Sequence, residues 1–189
     1  MNIKIKEIRL LNFMGIRERS VTFGDYTDIQ GDNAEGKSTM QDAFMWLLFG
    51  KNTRGEAQFE IKTLDSNNNA IPKLEHKVEG IFEIDGKEVV FTKIYKEIWT
   101  TKRGASEQVF TGHTTEYLID RMPYKAGDYQ DEIVSIAEEN IFKMLTDPLY
   151  FSSKLDWRQR RNILSELSGD ITQEYILSSD SKLSIIAKC

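Results

Sequence analysis

The chain has 189 residues, a net charge of −5 and a pI near 5.2, which excludes a protein that binds nucleic acid through a largely basic surface. Hydrophobic residues make up 40% and charged residues 29%, with only three prolines, so we expect one folded unit and not a disordered chain. No apolar stretch approaches the roughly 20 residues needed to cross a bilayer, the amino terminus lacks a signal-peptide core, and the single Cys189 has no internal disulfide partner; we therefore expect a cytoplasmic protein without a membrane partner.

The first third of the chain predicts strands followed by a helix. From Ile3 to Leu10 apolar and charged residues largely alternate, with one slip near Glu7, which predicts a half-buried strand. A second strand is expected over residues 20–23, and a short third one over 26–30, where YTDIQ runs directly into a glycine. Behind it, KSTMQDAFMWLLFG has apolar residues at helical spacing and no proline, so we expect a helix that stops at Gly50.

The remainder of the chain predicts antiparallel strands and then helices. HKVEGIFEIDGKEVVFTKIYKEIW contains two strand-like runs joined by Asp85-Gly86, a pair that tolerates the positive φ of a hairpin turn. The further expected elements are strands over 108–110 and 115–119, a helix over 129–145, and a helix that Asp156 caps and Gly169 ends. We find no internal repeat and no flexible linker.

GDNAEGKST, between the expected third strand and the helix, matches the phosphate-loop pattern G-x-x-x-x-G-K-[ST]. Glycines leave room for backbone amides to approach phosphate oxygens, and the following helix presents its positive amino terminus. Lys37 is expected to reach the β- and γ-phosphates, the Ser38 hydroxyl to bind Mg²⁺, and Thr39 to add a phosphate contact. The predicted ATP-binding residues are Gly31, Asp32, Asn33, Ala34, Glu35, Gly36, Lys37, Ser38 and Thr39.

Hydrolysis requires an acidic residue at the end of a second strand, to hold the metal and to position water. After the phosphate loop the sequence offers only YLID, whose Asp120 precedes a turn and is expected to be a hairpin residue. We therefore assign no catalytic residue and expect ATP hydrolysis only if another lobe completes the site.

Arginines in RQRR are the most interesting basic cluster, because three of them within four residues of one helix offer contacts to DNA phosphates. The alternative for Arg158, Arg160 and Arg161 is a solvated helix face or a lobe interface. Surface roles are expected for the other two basic groups, Lys51 with Arg54 and Lys102 with Arg103.

Several segments together resemble a known family: IRLLNFMGI, GDNAEGKSTMQDAFMWLLFG, FEIKTLD, YKEIWTTKRG, GHTTEYLID and FKMLTDPLYFSSKLDWRQRRNILSELSGD. They are similar to the amino-terminal half of an SbcC/SMC/RecF-type ATPase head, particularly its phage and bacterial DNA-repair versions. The resemblance covers nearly the whole chain. It implies an α/β fold of the P-loop NTPase class, the amino-terminal lobe of an ABC ATPase head with a RecA-like part, an antiparallel β-layer and helices.

The resemblance also implies an organisation. Residues 1–60 would be the phosphate-loop core, 61–125 the antiparallel layer, and 126–189 a helical part leading to a coiled coil. A carboxy-terminal lobe with the signature motif, the metal-holding acid and the catalytic glutamate would follow. Two heads would sandwich two ATP molecules, and closure would govern DNA binding and often a nuclease subunit.

Two departures from the family affect individual residues. A basic residue commonly follows the NF of the first strand, but Met14 stands there, and Arg17 can replace it only if the turn brings it round. The family's switch glutamine belongs near TDPLYFSS, which has none; Gln159 lies on the next expected helix, so no switch residue is named.

The leading hypothesis is the ATP-binding lobe of a DNA-repair or recombination ATPase, acting as a homodimer or with a partner lobe that covers its apolar surface. The alternative is a stand-alone regulatory or inhibitory protein, perhaps from a phage, that keeps the lobe's fold. A small-molecule kinase is a weaker third hypothesis, because its lid and substrate residues cannot be assigned.

Overall fold

A computed structural model of the chain describes residues 2–33, 35–101, 104, 107–136, 139–146 and 150–169. It divides into two compact units, residues 1–136 and 137–189. The first unit contains, in chain order, β1 Ile3–Phe13, β2 Ile16–Thr22, α1 Lys37–Phe49, β3 His76–Ile84, β4 Lys87–Thr101, β5 Gln108–Ile119, β6 Met122–Tyr124 and α2 Ala126–Ile136. The second contains α3 Glu139–Thr146, a π-helical turn Tyr150–Lys154 and α4 Trp157–Leu167.

The six strands form one sheet in the order β2-β1-β3-β4-β5-β6, and every neighbouring pair is antiparallel. The pairing of β1 with β3 shifts between Ile5 and Glu7, which is the position of the slip in the sequence alternation. The predicted hairpin is confirmed: β3 and β4 are joined by Asp85 and Gly86, both with positive φ (49° and 80°).

Helix α1 packs on one face of this sheet. Its spacing and its end at Gly50 are confirmed, since Gly50 has a φ of 68° and its N–H donates to Trp46 O at 3.0 Å. The buried core of the unit comes from the inward residues of β1, β3 and β4, from α1, and from Tyr129 and Ile133 of α2. Burial of these apolar surfaces is the main force that holds α1 on the sheet.

Three strand predictions require correction. Residues 26–30 form no strand, because the segment joins no ladder of the sheet and Tyr26 is 88% exposed. The predicted strand over 20–23 is β2, which begins at Ile16 because pairing with β1 extends beyond its apolar residues. Segments 108–110 and 115–119 are one strand, β5, because it pairs with β4 along its length around a register shift at Ile98/Trp99.

The helix predicted over 129–145 is two helices, α2 and α3, on either side of the division between the two units. The apolar spacing continues across the division, so periodicity alone could not locate it. In the second unit the Asp156 cap is confirmed. Its carboxylate accepts from Arg158 N at 2.7 Å and Gln159 N at 3.0 Å, and Gln159 Oε1 accepts from Asp156 N at 3.3 Å.

Helix α4 ends before Gly169, as expected, and Gly169 has a φ of 69°. Across the described ranges, none of the helices has both the length and the apolar character needed to span a membrane.

Candidate nucleotide-binding site

The glycine loop leads directly into the first turn of α1. Gly36 precedes the helix with φ 83° and ψ 22°, the left-handed conformation, and its carbonyl accepts from Met40 N at 3.1 Å. A Cβ at this position would lie 3.0 Å from Ile16 Cδ1 of β2. The left-handed backbone conformation therefore favours glycine here, and a Cβ would also press on the Ile16 side chain.

The ammonium group of Lys37 lies within the curl of the loop. Its Nζ donates to Gly31 O at 2.5 Å and to Asp32 O at 2.7 Å. The carboxylate of Glu35 accepts from Asp32 N at 2.9 Å, so an anionic group already lies on one loop amide. Ser38, in the first turn of α1, is exposed.

The structure therefore brings together Gly31, Asp32, Glu35, Gly36 and Lys37 of the predicted set. Asn33 is exposed and Thr39 is half-buried, whereas Ala34 lies outside the described residues. The loop offers main-chain amides and one ammonium group, the types of donor that hold a phosphate chain, and Ser38 in the next helical turn offers a hydroxyl of the type that binds Mg²⁺.

Arg19 of β2 is a residue that the sequence analysis missed. Its Nη1 donates to Glu35 O at 2.7 Å, and the same nitrogen would lie 3.7 Å from a Cβ on Gly36. Arg17, the residue considered earlier, is exposed on the same strand two positions away. Arg19 could have been found only by extending the predicted strand back to Ile16. A strand that begins there places Arg17, Arg19 and Val21 on one face.

A second group of contacts holds the other end of α1. Lys93 of β4 is only 3% exposed, and its Nζ donates to Trp46 O at 2.7 Å. The rings of Trp46, Tyr117 and Tyr129 surround this nitrogen, with centroids at 5.3, 5.3 and 5.4 Å. Burial lowers the pKa of Lys93 to about 7. Tyr129 Oη also donates to Leu47 O at 3.1 Å, and burial raises the pKa of this phenol.

Asp120 is a hairpin residue, as expected. It lies in the turn between β5 and β6 with a φ of 49°, its N–H donates to Val90 O at 2.9 Å, and its Oδ1 accepts from Val90 N at 2.8 Å. The N–H and the carboxylate of Asp120 both hydrogen-bond to the backbone of Val90 within the sheet, which supports its structural role.

The three arginines of the second unit make different contacts around α4. Arg158 stacks on Trp157, with its guanidinium 5.4 Å from the ring centroid, and Trp157 is 59% exposed. Arg160 donates to Ser152 O at 2.9 Å and so ties α4 to the π-helical turn. Arg158 and Arg160 are two positions apart and point to nearly opposite sides of the helix, while Arg161 shares a groove with Arg160, Trp157 and Leu164.

Known proteins similar to this chain include two bacterial relatives. The chromosome partition protein Smc of Myxococcus xanthus is 27% identical over 178 residues, which cover 88% of this chain and 14% of the relative. The DNA replication and repair protein RecF of Caldanaerobacter subterraneus subsp. tengcongensis is 25% identical over 189 residues, or 95% of this chain and 50% of the relative. The chain therefore spans half or less of the length of these relatives.

Similarity to solved structures shows the fold. The Smc head domain with a coiled coil and joint derived from Pyrococcus yayanosii has a TM-score of 0.57 at 18% identity, and the match covers 99% of this chain and 36% of that one. The fold is that of the amino-terminal lobe of an SMC/RecF-type ABC ATPase head, within the P-loop NTPase class. Because the family model of the AAA domain matches residues 7–187, nearly the whole chain, this protein belongs to the AAA domain family.

Proposed function

We propose that this chain binds ATP with Mg²⁺ at the glycine loop, as the nucleotide-binding lobe of a DNA-repair or recombination ATPase of SbcC/SMC type. The observation that carries the proposal is the position of Lys37, whose ammonium lies against the main chain of Gly31 and Asp32 at the start of α1. A cation held at a helix amino terminus beside loop amides favours a polyanion such as a triphosphate.

In this proposal the loop amides and Lys37 hold the phosphates, and Ser38 supplies a hydroxyl ligand to the metal. The magnesium ion neutralises phosphate charge when it is bound. Binding requires Lys37 to exchange its two carbonyl contacts for phosphate oxygens, and Glu35 to release the amide of Asp32. Both are exchanges of hydrogen bonds in an exposed loop, so their net cost is small compared with a gain of charge-assisted bonds.

The names of the relatives support the biological part of this proposal. Their names place one in chromosome partition and the other in DNA replication and repair, which supports a role on DNA for this chain. The matched part is 14% and 50% of their lengths, so we propose that a second lobe, from the same protein or a partner, supplies the groups for hydrolysis. Homodimerisation of completed heads around ATP, and a nuclease subunit, are further parts of this proposal.

The test is calorimetric titration of the chain with the slowly hydrolysed analogue ATPγS in the presence of Mg²⁺. Lys37→Ala should abolish measurable binding, because it removes the charge-assisted contact to the phosphates. Lys87→Ala is the matched control, since Lys87 is an exposed lysine at the start of β4. Equal affinity of wild type and Lys37→Ala would refute the proposal.

The same preparations test the need for a second lobe. Phosphate release from ATP should stay at background for the chain alone, because no residue has been assigned to hold the metal on the opposite side of the nucleotide. Steady turnover that Lys37→Ala removes would show that the chain hydrolyses ATP unaided.

A further inference from the structure

The edge strand β2 places a cation against the glycine loop. Arg19 pairs in register with Leu10, a buried residue on the face of β1 that carries α1, so the two side chains lie on the same face of the sheet. From there the guanidinium donates to Glu35 O at 2.7 Å. Arg19 therefore contacts the main chain of the loop from a position held by the sheet.

The contacted carbonyl belongs to the peptide that joins Glu35 to Gly36. In a planar trans peptide the C=O and the N–H point in opposite directions, so holding Glu35 O fixes the direction of the Gly36 N–H. This N–H belongs to the last loop residue before α1, among the amides that a phosphate loop turns toward its anion.

The residue on one side of this peptide is glycine, which allows either sign of φ, so rotation of the whole peptide plane is sterically permitted. A second constraint is therefore needed to keep one orientation. The Ile16 side chain lies against Gly36, and the hydrogen bond from Arg19 holds the carbonyl of the same peptide.

We infer that Arg19 is a positioning residue for the phosphate loop: it fixes the Glu35–Gly36 peptide so that the Gly36 amide is directed at the nucleotide's phosphates before the ligand arrives. This inference rests on the proposed function for its ligand, although the fixed peptide is a property of the free protein. Pre-orientation lowers the cost of ordering the loop on binding, so the benefit applies equally to di- and triphosphates.

The experiment compares Arg19→Met with Arg19→Lys and with Arg17→Met, a matched loss of one arginine from the same strand. The first measurement is hydrogen–deuterium exchange of the amides of residues 31–40 in the ligand-free protein. Arg19→Met should accelerate exchange by about tenfold at Asp32 and Glu35, whose N–H groups donate within the loop to the Glu35 carboxylate and to Asp32 O, whereas Arg17→Met should leave it unchanged. Unchanged exchange in Arg19→Met would overturn the inference.

The second measurement is the Kd for ADP and for ATPγS by calorimetry. Arg19→Met should weaken both by a similar factor of about ten, and Arg19→Lys, which retains a donor, should lie between wild type and Arg19→Met. A loss confined to ATPγS would show direct contact with the γ-phosphate and overturn the positioning role. If wild type fails to bind either nucleotide, the proposed function fails, and the exchange result alone still decides whether Arg19 orders the loop.

Discussion

Lys93 gives a sharp test of how the sheet holds α1. Its amine is buried beneath Trp46, Tyr117 and Tyr129, and burial lowers the pKa in the folded chain to about 7, against 10.5 for an ordinary lysine. Between these two values the unfolded chain binds more protons at this position than the folded chain. The free energy of unfolding must therefore rise with pH across this window and level off on either side of it.

The expected rise can be worked out from the two pKa values. Each full pH unit inside the window contributes about 1.4 kcal/mol, so the free energy of unfolding should increase by roughly 2 to 3 kcal/mol between pH 7.5 and 9.5. The three rings and Trp46 O favour the ammonium form, which makes this figure an upper value. Lys93→Met keeps a long apolar side chain in the same space but removes the titration, so its free energy of unfolding should not show this rise.

The assay is urea unfolding followed by tryptophan fluorescence at pH 7.5, 8.5 and 9.5, with wild type, Lys93→Met and a control variant. Lys96→Met is the control on the same strand. The pKa of Lys96 is raised by its hydrogen bond and ion pair with Glu116, so its contribution is lost only above pH 10.5 and the control should retain the wild-type rise. An equal rise in Lys93→Met would refute the assignment of the buried neutral amine.

Two further predictions concern other parts of the chain. The pKa of Glu97 is lowered to about 2, mainly by its hydrogen bond from Lys62, so the stability that this carboxylate contributes should be lost as the pH falls from 4.5 to 2. In an acid titration followed by circular dichroism, the stability of Glu97→Gln should therefore change less with pH than that of wild type. An unchanged pH dependence would contradict the pairing. If α4 contacts DNA phosphates, Arg158→Ala with Arg161→Ala should reduce the slope of log K against log salt by about two in fluorescence anisotropy, whereas an unchanged slope would place both arginines away from DNA.

Local signals in the sequence predicted much of the fold. The turn Asp85-Gly86, the Gly50 stop of α1 and the Asp156 cap each depend on contacts within a few residues, and all three are confirmed. Strand ends were less predictable, because ladder hydrogen bonds from a neighbour extend a strand through polar residues, as β1 does for β2. The segment 26–30 shows the opposite effect: strand-like residues remain without strand structure where no ladder pairs with them.

The candidate site likewise combines local features, which the sequence predicts, with contacts between distant residues, which it does not. Its loop residues form a contiguous motif, whereas the contacts that fix α1 join residues far apart in sequence. Arg19 reaches Glu35 across 16 positions, and Lys93 reaches Trp46 across 47. No periodicity in a single sequence marks such pairs. From the sequence alone, a lysine at this position of β4 would indicate an exposed face. It is buried because the carbonyl of Trp46 and three aromatic rings surround its amine, and these partners are not visible in the sequence.

These contacts place separate constraints on the two ends of one rigid element. The edge strand β2 fixes the peptide before α1, while β4 and α2 hold the carbonyls of Trp46 and Leu47 in its last turns. A 13-residue helix spans about 20 Å, well beyond the range of a hydrogen bond, so the two groups of contacts act independently unless the helix itself moves. The order of the glycine loop should therefore depend on Arg19, and the stability of the sheet unit should depend on Lys93. An effect of Lys93 on loop exchange would mean that α1 transmits displacement along its axis.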